Sequence, residues 1–302
     1  ATFEQEFQEE LVRLAQERDS SVATVDQAWG LLSRDIDFQN QVKESSAYRL
    51  MTGDHFSHMF RYEGTINQLL ERAVGDAIRR YQASGEQQVL NIGVIGAAYG
   101  QETMTAFIMA QRKIDEEIAK INNGTQNIPS DAIKVMVKTF GLPDAVFEKV
   151  RTNEVVYPRI GNEEGPAGLP AKDTGRYFAT TESGWKRNEA VNKQMAFYPV
   201  DLRDAQTFPA VGEQMDVVLV HNVLQYLRGD NRQDLTPASA RKAMKYIDAM
   251  VKQGGEVSMV FESGQDNELS PNVAAAKNEI FGGANYSVHK DEEGNALRFI
   301  KQ

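Results

Sequence analysis

The sequence predicts an α/β protein in which an all-helical N-terminal domain, residues 1–85, precedes a mostly parallel β-sheet covered by helices, residues 86–302. In the first part apolar residues recur at helical spacing, as at Phe3, Phe7 and Leu11. In the second part short apolar runs alternate with helical stretches, an order that favours parallel strands with helices on both faces. The 302 residues, 41% of them hydrophobic, suffice for one large domain or two modest ones.

The individual elements follow from local patterns. Apolar spacing predicts helices over residues 3–18, 25–32, 38–51, 66–81, 103–121, 143–150 and 238–251. Apolar runs predict strands over residues 89–95, 133–137, 194–199, 215–220 and 256–261. Two further runs, 286–289 and 297–300, flank Asp-Glu-Glu-Gly-Asn and predict a hairpin, which would add an antiparallel strand at or near one edge. Residues 159–187, rich in glycine, proline and charge, are expected to form a loop or small insertion.

Composition and charge exclude several classes of function. The net charge of −10 argues against nonspecific nucleic-acid binding, which needs a basic surface. The chain has no cysteine, which rules out disulfides, thiolate metal sites and a cysteine nucleophile and fits a reducing compartment. No apolar stretch is long enough to span a bilayer, and the acidic start, residues 1–6, does not resemble a secretory signal. We therefore predict a cytoplasmic protein without membrane insertion or nucleic-acid partner.

The segment Val89–Thr103 is the most informative of the chain, because it has the order strand, tight turn, helix. Its turn contains the small residues Gly96, Ala97, Ala98 and Gly100. In open α/β sheets a nucleotide-like ligand binds beyond the carboxyl end of such a strand, and glycine lets the ligand approach closely. A phosphate site would direct free N–H groups at an anion, whereas this turn leads to the carboxylate of Glu102. That carboxylate suits a ligand with hydroxyls or a positive group, and S-adenosylmethionine has both.

Five motifs follow one another in the order found in one known family. They are Ser57–Arg61, Ala97–Thr103, Phe147–Arg151 with Tyr157 and Pro158 after it, Asp216–Leu227, and Lys252–Gly255. Together these motifs resemble the chemotaxis-receptor methyltransferases, the CheR-type protein-glutamate O-methyltransferases. The resemblance implies a Rossmann-like methyltransferase sheet, and the Gly-x-Gly-x-x-Gly spacing of dinucleotide dehydrogenases is absent.

The resemblance also implies a reaction, a cofactor and a site. A bacterial enzyme of this kind transfers a methyl group from S-adenosylmethionine to a side-chain carboxylate by in-line displacement and releases S-adenosylhomocysteine. The cofactor-binding residues it implies are Gly96, Ala97, Ala98, Gly100, Glu102, Asp201, Leu202, His221 and Asn222. The candidate catalytic residues are Arg61, which can pair bidentately with an acidic acceptor, and Tyr226. The expected partner is the methyl acceptor, either a protein or a small molecule.

Two departures from the family keep other functions open. The second strand ends Val137–Gly141 without the acid that usually binds the ribose hydroxyls, and His221 stands where the family has an arginine. One alternative is a non-catalytic binding or scaffold protein that has this fold but has lost the cofactor. Another is a small-molecule methyltransferase with His221 as base.

Each candidate side chain also has a purely structural interpretation. The structural alternatives are the helix dipole for Glu102, a salt bridge for Arg61, a turn for Asp201 and core packing for Tyr226. His55 and His58 have the spacing of two metal ligands on a helix, but no third ligand is evident, and we predict no metal site.

Overall fold

The computed structural model describes residues 3–44, 59–124, 126–159, 162–229, 233–260, 269–290 and 296–302. The chain forms two compact units. Unit 1 comprises Ala1–Arg61, Ala98–Thr105 and Asp144–Gln194, and unit 2 comprises Tyr62–Ala97, Ala106–Pro143 and Met195–Gln302. The boundary that the sequence places after residue 85 stays a prediction.

The strands and helices alternate along most of the chain. The strands are β1 (Gln88–Ile95), β2 (Ile133–Gly141), β3 (Tyr157–Pro158), β4 (Phe178–Thr180), β5 (Gly184–Arg187), β6 (Met195–Pro199), β7 (Met215–His221), β8 (Val251–Val260), β9 (Tyr286–Lys290) and β10 (Ala296–Lys301). The helices are α1 (Phe3–Arg18), α2 (Val25–Leu32), α3 (Ile36–Glu44), α4 (Glu63–Ser84), α5 (Gln101–Asn122), α6 (Ala145–Arg151), α7 (Ala171–Tyr177), α8 (Glu189–Asn192), α9 (Pro237–Met250) and α10 (Pro271–Phe281).

Unit 2 is built on a seven-stranded sheet in the order β6-β2-β1-β7-β8-β10-β9. The pairs β1–β2, β1–β7, β2–β6 and β7–β8 are parallel, and β10 is antiparallel to both of its neighbours. This arrangement confirms the predicted α/β fold with a mostly parallel, Rossmann-like sheet and an antiparallel strand next to one edge. The strands on the two sides of β1 continue in opposite directions across the sheet, which creates a topological switch point between β1 and β7.

The central strands are buried on both faces, which explains their nearly continuous apolar sequence. Every residue of β7 is buried, and Ile92 of β1 is paired with Val137 of β2 and Val217 of β7. Parallel sheets covered by helices on both sides have this composition. Because the parallel strands point the same way, their carboxyl ends lie together at what we call the carboxyl edge of the sheet.

In unit 2 helix α4 shows how a clear apolar pattern predicts a helix, and helix α10 shows how a weak one fails to. In α4 seven apolar residues are buried at spacings of three and four, and the helix ends at Gly85 with a φ of 71°. Helix α10 was not predicted, because its buried face contains only Val273, Ala276, Lys277 and Phe281. A small residue and a lysine on the buried face obscure the helical period.

Unit 1 contains the helices α1 to α3 and a second, smaller sheet. The three helices pack through buried residues that include Phe7, Leu11, Leu32 and Phe38. In the described residues no strand precedes β1, which agrees with the predicted helical start. The predicted helix 38–51 is described only as α3, since residues 45–58 lie outside the described part of the chain.

The segment 159–187, expected to be a loop or small insertion, contributes strands to an antiparallel sheet in the order β3-β5-β4. The strands of this sheet have only two to four residues, too few for an alternating pattern to be recognised, and β3 lies just before the segment. Trp185 of β5 is fully buried, and the guanidinium of Arg159 lies over its ring at 5.1 Å from the centroid.

Candidate functional site

Strand β1 of unit 2 ends in a turn that only glycine fits. Gly96 has a φ of 88°, and its N–H donates to the carbonyl of Phe140 at 2.7 Å. A Cβ atom at this position would lie 2.7 Å from Cγ2 of Val223, the second residue after β7. Both the backbone conformation and this close packing therefore require glycine. Ala97, which follows it, is buried.

His221, the last residue of β7, is held inside the unit. It is 4% exposed, and its Nε2 lies 2.7 Å from the Ser258 hydroxyl on β8. The ring of Tyr62 packs edge-on against the imidazole, with 4.8 Å between the ring centroids. These contacts agree with a structural role for His221 and leave little surface for a substrate to reach.

Asn222 directly after β7 has an unusual backbone. Its φ is 52°, in the left-handed region that asparagine tolerates better than most residues. Its N–H donates to the Val260 carbonyl at 2.7 Å, which fixes the chain at the end of β8. In the side chain, Nδ2 donates to the Tyr62 hydroxyl, and Oδ1 accepts from Gln225 Nε2 at 3.2 Å. The amide is therefore fixed at both ends.

Tyr62 is a residue of this site that the sequence analysis missed. It immediately precedes helix α4 and contacts both His221 and Asn222. Asn222 is 160 positions further along the chain, and no spacing rule connects the two. The one sequence signal is that Tyr62 directly follows the candidate Arg61.

Asp201 and Leu202 follow the end of β6. The Asp201 carboxylate accepts hydrogen bonds from Arg203 Nε at 2.8 Å and Nη2 at 2.7 Å. Burial raises the pKa of Asp201, but the hydrogen bonds from Arg203 lower it more, so that the pKa lies below its ordinary value of 3.8. The resemblance implies that Asp201 accepts from the adenine amino group of the cofactor, and that group would have to share the carboxylate with Arg203. Leu202, the next residue, is buried.

Two large side chains of unit 2 are exposed after strands β2 and β7. Tyr226, in the short 3-10 turn Leu224–Tyr226, is 48% exposed, so core packing does not account for its ring. Leu142 is 47% exposed and directly follows β2, where the acid for the ribose hydroxyls is absent. Both contribute apolar surface after strands that end at the carboxyl edge.

In unit 1, the continuation of the turn from Ala98 onwards is fixed by aromatic residues. Ala98 and Gly100 have φ values of 42° and 82°. The Tyr99 ring packs against Trp29 with a centroid distance of 5.3 Å, and the Tyr99 carbonyl accepts from the Tyr157 hydroxyl at 3.2 Å. Burial raises the pKa of Tyr157 to about 12, so this hydroxyl stays protonated and continues to donate.

The two charged candidates of unit 1 are half-buried. Glu102 lies in the first turn of α5, where a carboxylate is favoured by the helix dipole. Arg61 follows Phe60, whose N–H donates to the Thr105 hydroxyl at 2.8 Å. These positions are compatible with the functional and with the structural interpretation of each residue.

The structure brings some of the predicted residues together. In unit 2 the turn at Gly96 packs against the segment that contains His221 and Asn222. In unit 1 Ala98, Gly100 and Glu102 share one loop and the helix that follows it.

His55 and His58 lie outside the described residues. Within the described ranges no three acidic, histidine or cysteine side chains are grouped so that they could hold a metal ion. In that same part of the chain no helix has the length and apolar character needed to cross a membrane.

Comparisons with known proteins do not identify a family for this chain. No model of a known protein family matches, and no curated protein matches. Solved structures with some similarity include the N-methyltransferase NodS from Bradyrhizobium japonicum in complex with S-adenosylhomocysteine, with 13% identity, a TM-score of 0.35, and 89% of this chain and 98% of that chain covered. A SAM-dependent methyltransferase from Aquifex aeolicus has 8% identity, a TM-score of 0.33, and coverage of 79% and 95%. The fibrillarin pre-rRNA processing protein from Methanococcus jannaschii has 11% identity, a TM-score of 0.35, and coverage of 71% and 67%.

Proposed function

We propose that this protein is an S-adenosylmethionine-dependent methyltransferase. The observation that carries the proposal is the meeting of the Gly96 turn with the segment after β7 at the switch point of a Rossmann-like sheet. Ligands of open α/β sheets bind in the crevice beyond the carboxyl ends of the strands at this point. The turn packs closely against Val223, and the neighbouring segment supplies fixed polar groups.

The chemistry of the residues fits this cofactor. In unit 2 the amides of Asn222 and Gln225 and the hydroxyl of Tyr62 are neutral hydrogen-bonding groups in a fixed arrangement. Such groups suit a ligand that carries hydroxyls, an ammonium and a carboxylate. In unit 1 the Glu102 carboxylate, which follows the small-residue turn, is suited to hydroxyls or a positive group and is poorly suited to a pyrophosphate.

The residues named above would bind and orient rather than perform acid–base chemistry. When bound, S-adenosylmethionine supplies a sulfonium methyl group, which leaves with the C–S bond electrons remaining on sulfur as the acceptor atom forms its new bond to carbon. Gly96 would let the chain turn sharply after β1 beside the cofactor, and Asn222 would hold the polar part of the cofactor. Proximity and orientation provide most of the rate in such a displacement.

The finer proposal is a side-chain carboxylate as the acceptor, as the resemblance to CheR-type enzymes implies. A carboxylate is already ionised near neutral pH, and its methylation requires no base. The burial of His221 and its bond to Ser258 support such an acceptor over a small molecule that would need His221 as base. Arg61 and Tyr226 remain the candidates for orienting the acceptor.

A second candidate function is a non-catalytic binding protein with the methyltransferase fold. The observation that favours it is the end of β2, where Gly141 is followed by the exposed Leu142 and no acid is present for the ribose hydroxyls. The pairing of Asp201 with Arg203 also lowers the attraction of that carboxylate for an adenine amino group.

Calorimetric titration of the purified protein with S-adenosylhomocysteine tests the proposal. We expect saturable binding that Glu102→Gln weakens about tenfold or more, because a carboxylate suited to the hydroxyl or ammonium groups of the ligand is lost. The matched control is Glu116→Gln on the same helix, an exposed residue paired with Lys120, which should leave the affinity unchanged. A folded protein that binds no S-adenosylhomocysteine would eliminate the enzyme and favour the non-catalytic binding protein.

A further inference from the structure

We infer that Tyr62 is a positioning residue that sets the orientation of the Asn222 amide for the ligand bound at the carboxyl edge. This inference rests on the proposed function, since the ligand in question is the cofactor. It assigns a role to a residue at the start of α4 that no motif of the sequence indicates.

The backbone of Asn222 is fixed independently of Tyr62. Its left-handed φ of 52° and its N–H bond to the Val260 carbonyl place the Cβ atom at one defined point after β7. The terminal torsion of an asparagine side chain is nevertheless broad, so a fixed Cβ does not determine where the amide nitrogen and oxygen point.

Two side-chain contacts determine that orientation. Tyr62 accepts a hydrogen bond from Nδ2 of Asn222, and Gln225 donates one to Oδ1. A flipped amide would bring the Asn222 nitrogen towards the nitrogen of Gln225, where both groups are donors. The pair of contacts therefore favours a single orientation, in which the ligand always meets the nitrogen and the oxygen on the same sides.

The ring of Tyr62 has its own support, which separates its position from its hydrogen bond. It packs edge-on against His221, and His221 is anchored to Ser258. The variant Tyr62→Phe should keep the ring and its packing and lose only the bond to Asn222. The variant Asn222→Gly should keep the backbone, because glycine adopts a φ of this sign without strain.

A double-mutant cycle with S-adenosylhomocysteine as the probe tests this role. In the wild-type background we expect Tyr62→Phe to weaken binding about three- to tenfold, the equivalent of one hydrogen bond. Asn222→Gly should weaken binding about tenfold, and the double variant should bind no more weakly than Asn222→Gly alone. Tyr81→Phe, a change of the same kind in the last turn of α4, is the matched control and should have no effect.

If Tyr62 had only a structural role, Tyr62→Phe would lower the thermal midpoint of unfolding both in wild type and in Asn222→Gly. Its effect on the affinity for S-adenosylhomocysteine would then not depend on residue 222. The inference is overturned if the two effects multiply in the double variant, or if Tyr62→Phe leaves the affinity unchanged. Failure of the wild-type protein itself to bind is a different result, because it removes the proposed function and this role with it.

Discussion

The two ends of strand β7 carry polar residues of opposite kinds. At the amino end, Asp216 is 4% exposed and is surrounded by partners with opposite charge. Its carboxylate accepts from the Asn91 N–H at 2.8 Å, from Arg80 at 3.3 Å and from the ammonium group of Lys252. A buried charge that is neutralised in this way is costly to disturb, because removing one partner leaves the others uncompensated.

At the carboxyl end of the same strand, Asn222 and its two side-chain partners are uncharged amide and hydroxyl groups. His221 and Asn222 are held by Ser258, Tyr62 and Gln225, and one of them has a left-handed backbone. The amide and hydroxyl groups of this set leave no buried charge uncompensated when one of them is removed, and they present oriented hydrogen-bonding groups. One strand thus separates stability from the proposed binding: the amino end stabilises unit 2, and the carboxyl end is where we propose that the ligand binds.

The largest effect on stability is expected from Asp216→Asn at the amino end. Loss of the buried charge should lower the free energy of unfolding by about 3–5 kcal/mol, because Arg80 and Lys252 lose their common partner. Urea denaturation measures this change. The control Glu213→Gln removes an exposed acid that lies 3.8 Å from Lys138, and should cost about 0.5 kcal/mol or less. Equal losses in the two variants would refute a special role for the amino end.

The next largest effect is expected from Gly96→Ala at the carboxyl end. The new methyl group would clash with Val223, and alanine would be strained at the positive φ of this position. The free energy of unfolding should fall by about 2–4 kcal/mol. Binding of S-adenosylhomocysteine should be lost as well. Gly254→Ala is the matched control: its φ of 76° is similar, but no atom lies within 4 Å of the added Cβ. That control should cost about 1–2 kcal/mol, from backbone strain alone. The same loss in both variants would show that Val223 does not restrict this turn.

A smaller effect concerns Tyr286 at the start of β9, whose hydroxyl donates to Asp248 Oδ1 at 2.6 Å. Burial, followed by the hydrogen bond to Asp248, raises the pKa of Tyr286 well above its ordinary value of 10.0. The folded state therefore keeps a proton that the unfolded state loses above pH 10, so this stability is present below that pH and falls as the pH rises.

Tyr286→Phe should consequently cost about 1 kcal/mol near neutral pH and flatten the loss of stability that begins above about pH 10. Urea midpoints from neutral pH into that alkaline range measure both effects. A wild-type protein and a variant with parallel pH profiles would contradict the assignment of alkaline sensitivity to this tyrosine.

Much of the fold was accessible from the sequence because local patterns decide it. The apolar runs of β1 and β7 are long enough to identify buried parallel strands, and the glycine of the turn at Gly96 has the predicted position after β1. The hairpin pattern near the C-terminus led to the antiparallel strand β10 beside the edge strand β9. In each case the residues that determine the element lie within a few positions of one another.

The remainder depends on contacts between distant parts of the chain. The bond between Tyr62 and Asn222 joins residues 160 positions apart, and the charges around Asp216 come from α4 and β8. Pairings of this kind are visible only when the strands have been brought into register.

Urea unfolding with and without saturating S-adenosylhomocysteine, applied to wild type, Asp216→Asn and Asn222→Gly, tests the separation of stability from binding most directly. At a ligand concentration about 100 times the wild-type Kd, wild type and Asp216→Asn should each gain about 2.7 kcal/mol, although Asp216→Asn starts from a lower stability. Asn222→Gly should start within about 1 kcal/mol of wild type and gain only about 1.4 kcal/mol if its affinity falls tenfold. The assignment of binding to the carboxyl end of β7 would be contradicted if the ligand stabilised Asn222→Gly as much as wild type and did not stabilise Asp216→Asn.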